Sequence, residues 1–371
     1  MKFSSNPLIS LVIPTKERCQ TLRYTLETAL QQTCEDYEIV VSDNFSQDST
    51  KEVVQRFADS RIKYFNTGQR LSMRDNWEFA LERASGHYII FIGDDDAVMP
   101  GAIDILQRNI HLIPCEVYCW PCHVYVWPIG ETKPVVKHKA GSSQPFEVQL
   151  KTIARFATKW GLCNYAGLPH LYHSAVSKKI LNNMKARTGR VFHTTCPDVF
   201  MAYALPAFSE KAVNVGECIT VVGHSAKSNS GALMTKEGSS ILETFGQEYS
   251  GYQVHRSLCP EVPFLINLIP DTVLVAMDMF PDVYRDMPPN YSAMWAYMHR
   301  IGKYETLMGI VRKRKQFQQW HSFSATRFLF YALVHYYLDL KSKLLHKKLE
   351  DGIGFCPENI RDFVNIAKEW K

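Results

Sequence analysis

The chain lacks any apolar run long enough to cross a bilayer. About 18–20 uncharged residues are needed, and the best stretch, Phe328 to Leu338, is shorter than that and contains His335. No membrane-spanning segment is therefore expected. An apolar leader is missing too. Met1-Lys2-Phe3-Ser4-Ser5-Asn6-Pro7 runs straight into the first strand-like segment, so no secretory signal is expected. Internal repeats and low-complexity tracts are absent, which excludes repeat and disordered architectures. A strong net charge is also absent. The formal charge is +5, too small to make the whole chain a nucleic-acid binder, and no nucleic-acid partner is expected.

What is present is a substantial globular sequence. Its 371 residues, 46% of them hydrophobic, suffice for one large α/β domain and a smaller second part. Ten cysteines without a leader fit a reducing compartment where thiols stay free, so a cytoplasmic location is expected. The charge is uneven. Between Arg300 and Glu350 there are eleven Lys/Arg against three Asp/Glu. A basic segment needs explaining, not a basic protein.

Short β-branched runs alternate with helical patterns over the first hundred residues. The strand-like runs are Leu8 to Ile13, Glu38 to Val41, Ile62 to Phe65 and Tyr88 to Ile92. Between them, Leu22, Leu26, Ala29 and Leu30, then Val53, Val54 and Phe57, then Trp77, Leu81 and Ala84 recur at helical spacing. Such alternation predicts a parallel sheet covered by helices, with ligands beyond the carboxyl ends of its strands. A further strand is expected over 115–127 and a polar surface loop over 130–146. Helices are expected over 150–160, 177–187 and 198–205, and a last strand over Cys218 to Val222. Beyond about 240 the pattern is mostly helical.

Three polar clusters follow predicted strands: Pro14-Thr15-Lys16-Glu17-Arg18, Ser42-Asp43-Asn44-Phe45-Ser46-Gln47-Asp48 and Gly93-Asp94-Asp95-Asp96. Three adjacent carboxylates repel one another unless a cation offsets them. A divalent Mg²⁺ or Mn²⁺, which prefers oxygen ligands, would do so and would steady a departing diphosphate. A solvated turn in which Asp96 caps the helix after Pro100 is the competing explanation.

In order and spacing, Leu11-Val12-Ile13-Pro14-Thr15, Val40-Val41-Ser42-Asp43-Asn44-Phe45-Ser46-Gln47-Asp48-Ser49-Thr50 and Gly86-His87-Tyr88-Ile89-Ile90-Phe91-Ile92-Gly93-Asp94-Asp95-Asp96 resemble the family 2 glycosyltransferases. The resemblance covers about residues 7–225. It implies the GT-A fold: a Rossmann-like nucleotide-binding domain with a mixed, mainly parallel sheet. The division expected is a catalytic domain over 1–225 and a mostly helical C-terminal region over 226–371 that serves acceptor, membrane-surface or oligomer contact.

The resemblance also implies a nucleotide-diphosphate-sugar donor, with a UDP-sugar favoured, and inverting transfer to a glycan or lipid-linked acceptor in polysaccharide or glycolipid synthesis. By the same resemblance Pro14, Thr15, Glu17 and Arg18 line the nucleoside pocket. Asp43, beside Asn44, accepts from the base. Asp94 and Asp95 lie near ribose and sugar, and Asp96 binds the metal. Arg70 and Arg74 fall in the segment that approaches the diphosphate, or else simply open a helix in solvent. In similar enzymes the base follows the aspartates by about a hundred residues and opens a helix, so the resemblance implies Asp198 in that role. Its alternative role is a first-turn carboxylate favoured by the helix dipole. Glu210 is the second choice for the base. His224, after the last strand, is a candidate metal or diphosphate contact or a plain surface histidine, and the segment after Ser225 a candidate loop over the donor.

Two further readings stay open. A non-catalytic nucleotide-sugar-binding protein would share the fold. Cys115, Cys119 and Cys122 have the spacing of a radical S-adenosylmethionine enzyme's cluster, although the aromatic strand pattern around them suits buried thiols better. In the basic segment, Phe328, Leu329, Ala332, Leu333, Tyr336, Leu340, Leu344 and Leu345 roughly share a helical face followed by Lys341, Lys343, Lys347 and Lys348. Residues 324–349 are thus a candidate membrane-surface helix or an ordinary packed helix. The aromatic C-terminal region is also a candidate homodimer interface.

Overall fold

The computed structural model describes residues 6–128, 133–142, 144–160, 167–228, 238–258, 264–301, 324–350 and 357–368. Twelve strands are described: β1 Ile9–Thr15, β2 Tyr37–Asp43, β3 Ile62–Asn66, β4 Tyr88–Phe91, β5 Ala97–Val98, β6 Val117–Cys119, β7 His123–Val126, β8 Val135–Lys137, β9 Phe146–Gln149, β10 Ser174–Ser177, β11 Lys211–Asn214 and β12 Thr220–His224. Helices α1 Cys19–Ala29, α2 Thr50–Gln55, α3 Met73–Arg83, α4 Ala102–Leu112, α5 Leu150–Lys159, α6 Lys178–Thr188 and α7 Pro197–Ala204 lie among them.

The main sheet has eight strands in the order β3-β2-β1-β4-β10-β6-β11-β9. β3, β2, β1 and β4 run parallel, β10 runs against its neighbours, and β6 and β11 are again parallel. The expected α/β class with a mixed, mainly parallel sheet is what the structure shows. Alternation along the strands divides the core. Val12, Val40, Ile89 and Phe91 face one layer with α3 and α7. Leu11, Ile13, Ile39, Val41, Ile90 and Ile92 face the other with α1 and α4. Strands buried on both faces explain the unbroken apolar runs in the sequence.

Two expectations are corrected. Residues 115–127 form two strands in two sheets, not one strand. Pro121 has no N–H to give to a ladder, and the chain leaves the main sheet there to enter a second sheet of order β5-β12-β7-β8. Residues 130–146 are not only a loop, since β8 pairs with β7.

The C-terminal helices are joined to the same core. Val273, Leu274, Phe280, Trp295 and Met298 pack in the cluster that holds Val199, Phe200 and Tyr203 of α7. The helix Ile360–Ala367 closes the second sheet through Phe363 and Val364. No helix among the described residues is long and apolar enough to cross a membrane.

Candidate functional site

The carboxyl ends of β1, β2 and β4 converge on the aspartate loop. Thr15, at the end of β1, donates its hydroxyl to Asp94 at 2.5 Å. Arg18 reaches Asp94 at 2.8 Å and Asp95 at 3.6 Å. Burial works against the Arg18 charge, but the surrounding aspartates outweigh it and raise its pKa. Burial also raises Asp94 and Asp95, with Arg18 opposing and the neighbouring carboxylates adding.

Asp96 sits differently. Its Oδ1 accepts from the Gly223 N–H at 2.6 Å. Its Oδ2 accepts from Gly93 N–H, from the Tyr172 hydroxyl at 2.6 Å and from His173 Nε2 at 3.0 Å. Burial opposes ionisation of Asp96, yet His173 and these donors hold its pKa below the ordinary value. Burial likewise opposes the His173 charge, and Asp96 overcomes it, so the imidazole is held protonated. The pair is fully buried. On its other side His173 meets the Thr220 hydroxyl at 2.8 Å.

Backbone conformation makes this possible. Residues 171–173 run beside the end of β4, with His173 N–H donating to Phe91 C=O at 3.0 Å and Phe91 N–H to Leu171 C=O at 3.0 Å. Leu171 and His173 both have positive φ, as do Glu17 and Phe45. Four of the five non-glycine residues with positive φ among the described residues thus border the site, where such strain tends to collect. Gly223 is required for another reason. A Cβ there would lie 1.7 Å from the Asp95 carbonyl oxygen, so only glycine lets β12 lie against the aspartate loop.

Around this centre, Asp43 accepts from Tyr64 at 2.5 Å, Asn66 at 3.0 Å and Ser46 N–H at 2.9 Å. Asn44 closes both ends of its amide on the Leu71 backbone, each at 2.8 Å. Glu17 accepts from Arg70 at 2.8 Å and from Gln47 N–H at 3.0 Å. Pro14 lies in β1 itself. Arg74 is held by Asp75 at 3.2 Å, and its N–H donates to the Tyr249 hydroxyl at 3.1 Å. His224 ends β12 and feels Asp95, but burial keeps its pKa low. Ser225 N–H donates to Asp95 at 3.0 Å. Beyond Ser228, the segment expected over the donor lies outside the described residues until 238.

Asp198 opens α7 behind Pro197. Burial raises its pKa against two backbone N–H groups, and its charge is felt at Tyr172, on the Asp96 side of the site. Glu210 precedes β11. Because β11 runs parallel to β4 through β6 and β10, that position is the opposite edge of the sheet. The three cysteines stay apart as ligands. The Cys119 thiol is pushed up to about 12 by burial, and Cys115 faces the Lys211 carbonyl at 3.7 Å. Among the described residues no three His, Cys, Asp or Glu side chains converge as a metal cage.

The sequence reading missed Tyr172, His173, Thr220 and Tyr249. Positive φ at Leu171 and His173 has no motif, and a lone histidine before a strand carries no spacing signal. Tyr249 and Glu248, which pairs with Lys16, come from the helical part of the chain beyond the matched motifs.

The glycosyl transferase family 2 model matches residues 10–181. That stretch, just under half of the chain, is similar to the glycosyl transferase family 2 domain, and the mixed, mainly parallel sheet is the one that this resemblance implies. The chain is 37% identical over 106 residues to a GalNAc(5)-diNAcBac-PP-undecaprenol β-1,3-glucosyltransferase of Campylobacter jejuni, which covers 28% of this chain and 34% of the relative. It is 33% identical over 108 residues to a UDP-Glc:α-D-GlcNAc-diphosphoundecaprenol β-1,3-glucosyltransferase of Escherichia coli, covering 28% and 43%. These matches therefore span less than half of the curated relatives. Among solved structures, S. aureus TarS in complex with UDP is similar at a TM-score of 0.47 and 14% identity, over 80% of this chain and 92% of that one.

Proposed function

We propose that this chain transfers a sugar, with inversion, from a nucleotide-diphosphate-sugar to a hydroxyl of a lipid-linked glycan. The observation that carries the proposal is the convergence of Thr15, Arg18, Asp94 and Asp95 at one sheet edge with Asp198 on the helix alongside. A UDP-sugar is the favoured donor. A carboxylate has about four lone-pair sites, and Asp43 uses three of them internally. One acceptor position is left for the imide N–H of a uracil ring. The lipid-linked acceptor is supported by the names of the relatives, whose substrates are carried on undecaprenyl diphosphate.

When all three aspartates are ionised they face two cations, Arg18 and His173, and the burial that raises Asp94 and Asp95 opposes that charge. A divalent cation fits that chemistry. Asp96 is saturated by four donors, whereas Asp95 accepts from Ser225 N–H at 3.0 Å and has a longer Arg18 contact. Asp95, with neutral His224 beside it, is therefore the better holder of Mn²⁺ or Mg²⁺, and Asp96 holds the loop in shape. One or two protein ligands suffice where substrate phosphates complete the shell. Bound there, the cation would offset charge on the leaving diphosphate.

The protein's own part is proton transfer and positioning. Asp198 takes the proton of the acceptor hydroxyl as its oxygen attacks the anomeric carbon on the face opposite the nucleotide. Its raised pKa makes it a stronger base than a solvated aspartate. Transfer from UDP-glucose and other UDP-sugars to a prenyl-diphosphate-linked GlcNAc or GalNAc acceptor, read by mass spectrometry, tests this. A product one sugar heavier, lost in Asp198→Asn, is expected. The absence of both transfer and donor hydrolysis with folded protein would overturn it.

A further inference from the structure

Among the described residues, the long helix Ala325–Glu350 meets the rest of the chain along one face of its first half. Phe328 packs against the core, Tyr331 donates to the Lys159 carbonyl at 3.2 Å, and the helix lies along Tyr291–Ile301. This corrects the apolar face expected from sequence, because Phe328 and Ala332 turn inward while Leu329, Leu333 and Tyr336 do not. Leu329, Phe330, Leu333, Tyr336, Tyr337 and Leu340 are all exposed, Leu333 to 68%. Their spacing of three and four puts them on one stripe, roughly 17 Å long at 1.5 Å per residue.

A second element extends the stripe. Phe156 of α5 is exposed to 54% and lies 5.9 Å from Trp160, which lies 6.4 Å from Phe330. Seven of the ten large apolar residues exposed among the described residues thus belong to one surface. At its foot is a cavity of about 480 Å³ lined by Lys159, Asn290, Thr326, Arg327, Phe330 and Tyr331. Lys159 and Arg327 have no carboxylate partner among the described residues. Beyond the far end of the stripe the same helix carries Lys341, Lys343, Lys347 and Lys348.

We propose that this face is a docking surface for an anionic phospholipid bilayer. The stripe enters the layer between headgroups and acyl chains, Tyr336 and Tyr337 sit at headgroup depth, and Lys159 and Arg327 at its foot meet lipid phosphates. The charge decides between occupants. A second copy would bring Lys159 and Arg327, at the foot of the stripe and without carboxylate partners among the described residues, onto their like, whereas an anionic surface attracts them. The use made of the docking, bringing the site to a lipid-linked acceptor, rests on the function proposed above.

Co-sedimentation of the full chain with vesicles of phosphatidylcholine, alone or mixed with phosphatidylglycerol, tests the docking without donor or acceptor. The chain is expected to bind the mixed vesicles and to be released by salt. Leu333→Glu/Tyr337→Glu, both exposed and so without effect on folding, is expected to weaken binding at least about tenfold. Lys159→Glu/Arg327→Glu is expected to weaken it and reduce its salt dependence. Transfer to a water-soluble acceptor by Leu333→Glu/Tyr337→Glu is expected at the wild-type rate, so loss of docking and loss of catalysis are read separately. The proposal is overturned by no binding, by equal binding of wild type and Leu333→Glu/Tyr337→Glu, or by a wild-type dimer that this double substitution dissociates in place of vesicle binding.

Discussion

Replacing Asp96 by asparagine should unfold the site before it tests the chemistry. The carboxylate takes four donors, from Gly93, Tyr172, His173 and Gly223. An amide has one oxygen, so either orientation turns its NH₂ toward a donor. The substitution also strands the protonated His173, which is 3% exposed. Removing one partner of a buried ion pair costs about 3–5 kcal/mol. Asp95→Asn makes the contrast. The ionised form of Asp95 is disfavoured by burial, so its removal should leave stability unchanged or slightly higher while weakening donor binding, the usual trade at a functional group. Urea unfolding of the two variants measures the difference. His173→Gln in the Asp96→Asn background should cost less than the two single effects added together, since the second change removes the stranded charge. If Asp96→Asn stays within about 1 kcal/mol of wild type, the division of labour between the two aspartates is wrong.

Other outcomes follow from the same geometry. Asp198→Asn should keep nucleotide binding and lose transfer, as read by calorimetry and by product formation. As the proposed base, Asp198 must be ionised, and burial raises its pKa, so the transfer rate should fall as pH drops through a value above the ordinary 3.8, visible in the acid limb of a kcat profile. Gly223→Ala must push apart β12 and the aspartate loop and should cost about 1–3 kcal/mol in urea unfolding along with activity. Gly246→Ala, with nothing within 4 Å of the added carbon, should stabilise by up to about 1 kcal/mol.

Much of the scaffold was legible because burial on both faces imposes unbroken β-branched runs, as in Ile9–Thr15 and Tyr37–Asp43. The aspartates were legible because charge so dense after an apolar strand requires an explanation. What was not legible came from tertiary pairing. Asp94, Asp95 and Asp96 look equivalent in the sequence, and only the approach of His173 and Gly223 separates Asp96 from Asp95. The passage of 115–127 from one sheet to another hinges on Pro121, which a period-2 pattern runs through. The long C-terminal helix follows a helical period, but which side faces inward depends on where Tyr291–Ile301 lies.

The most direct test is calorimetric titration of UDP and UDP-sugars into wild type and Asp95→Asn, with and without Mn²⁺. A saturable wild-type isotherm that strengthens with Mn²⁺, and in Asp95→Asn loses that gain, is the result predicted here. No binding of any uridine nucleotide to folded wild type, or an Asp95→Asn isotherm identical to it, would contradict a donor site at these aspartates.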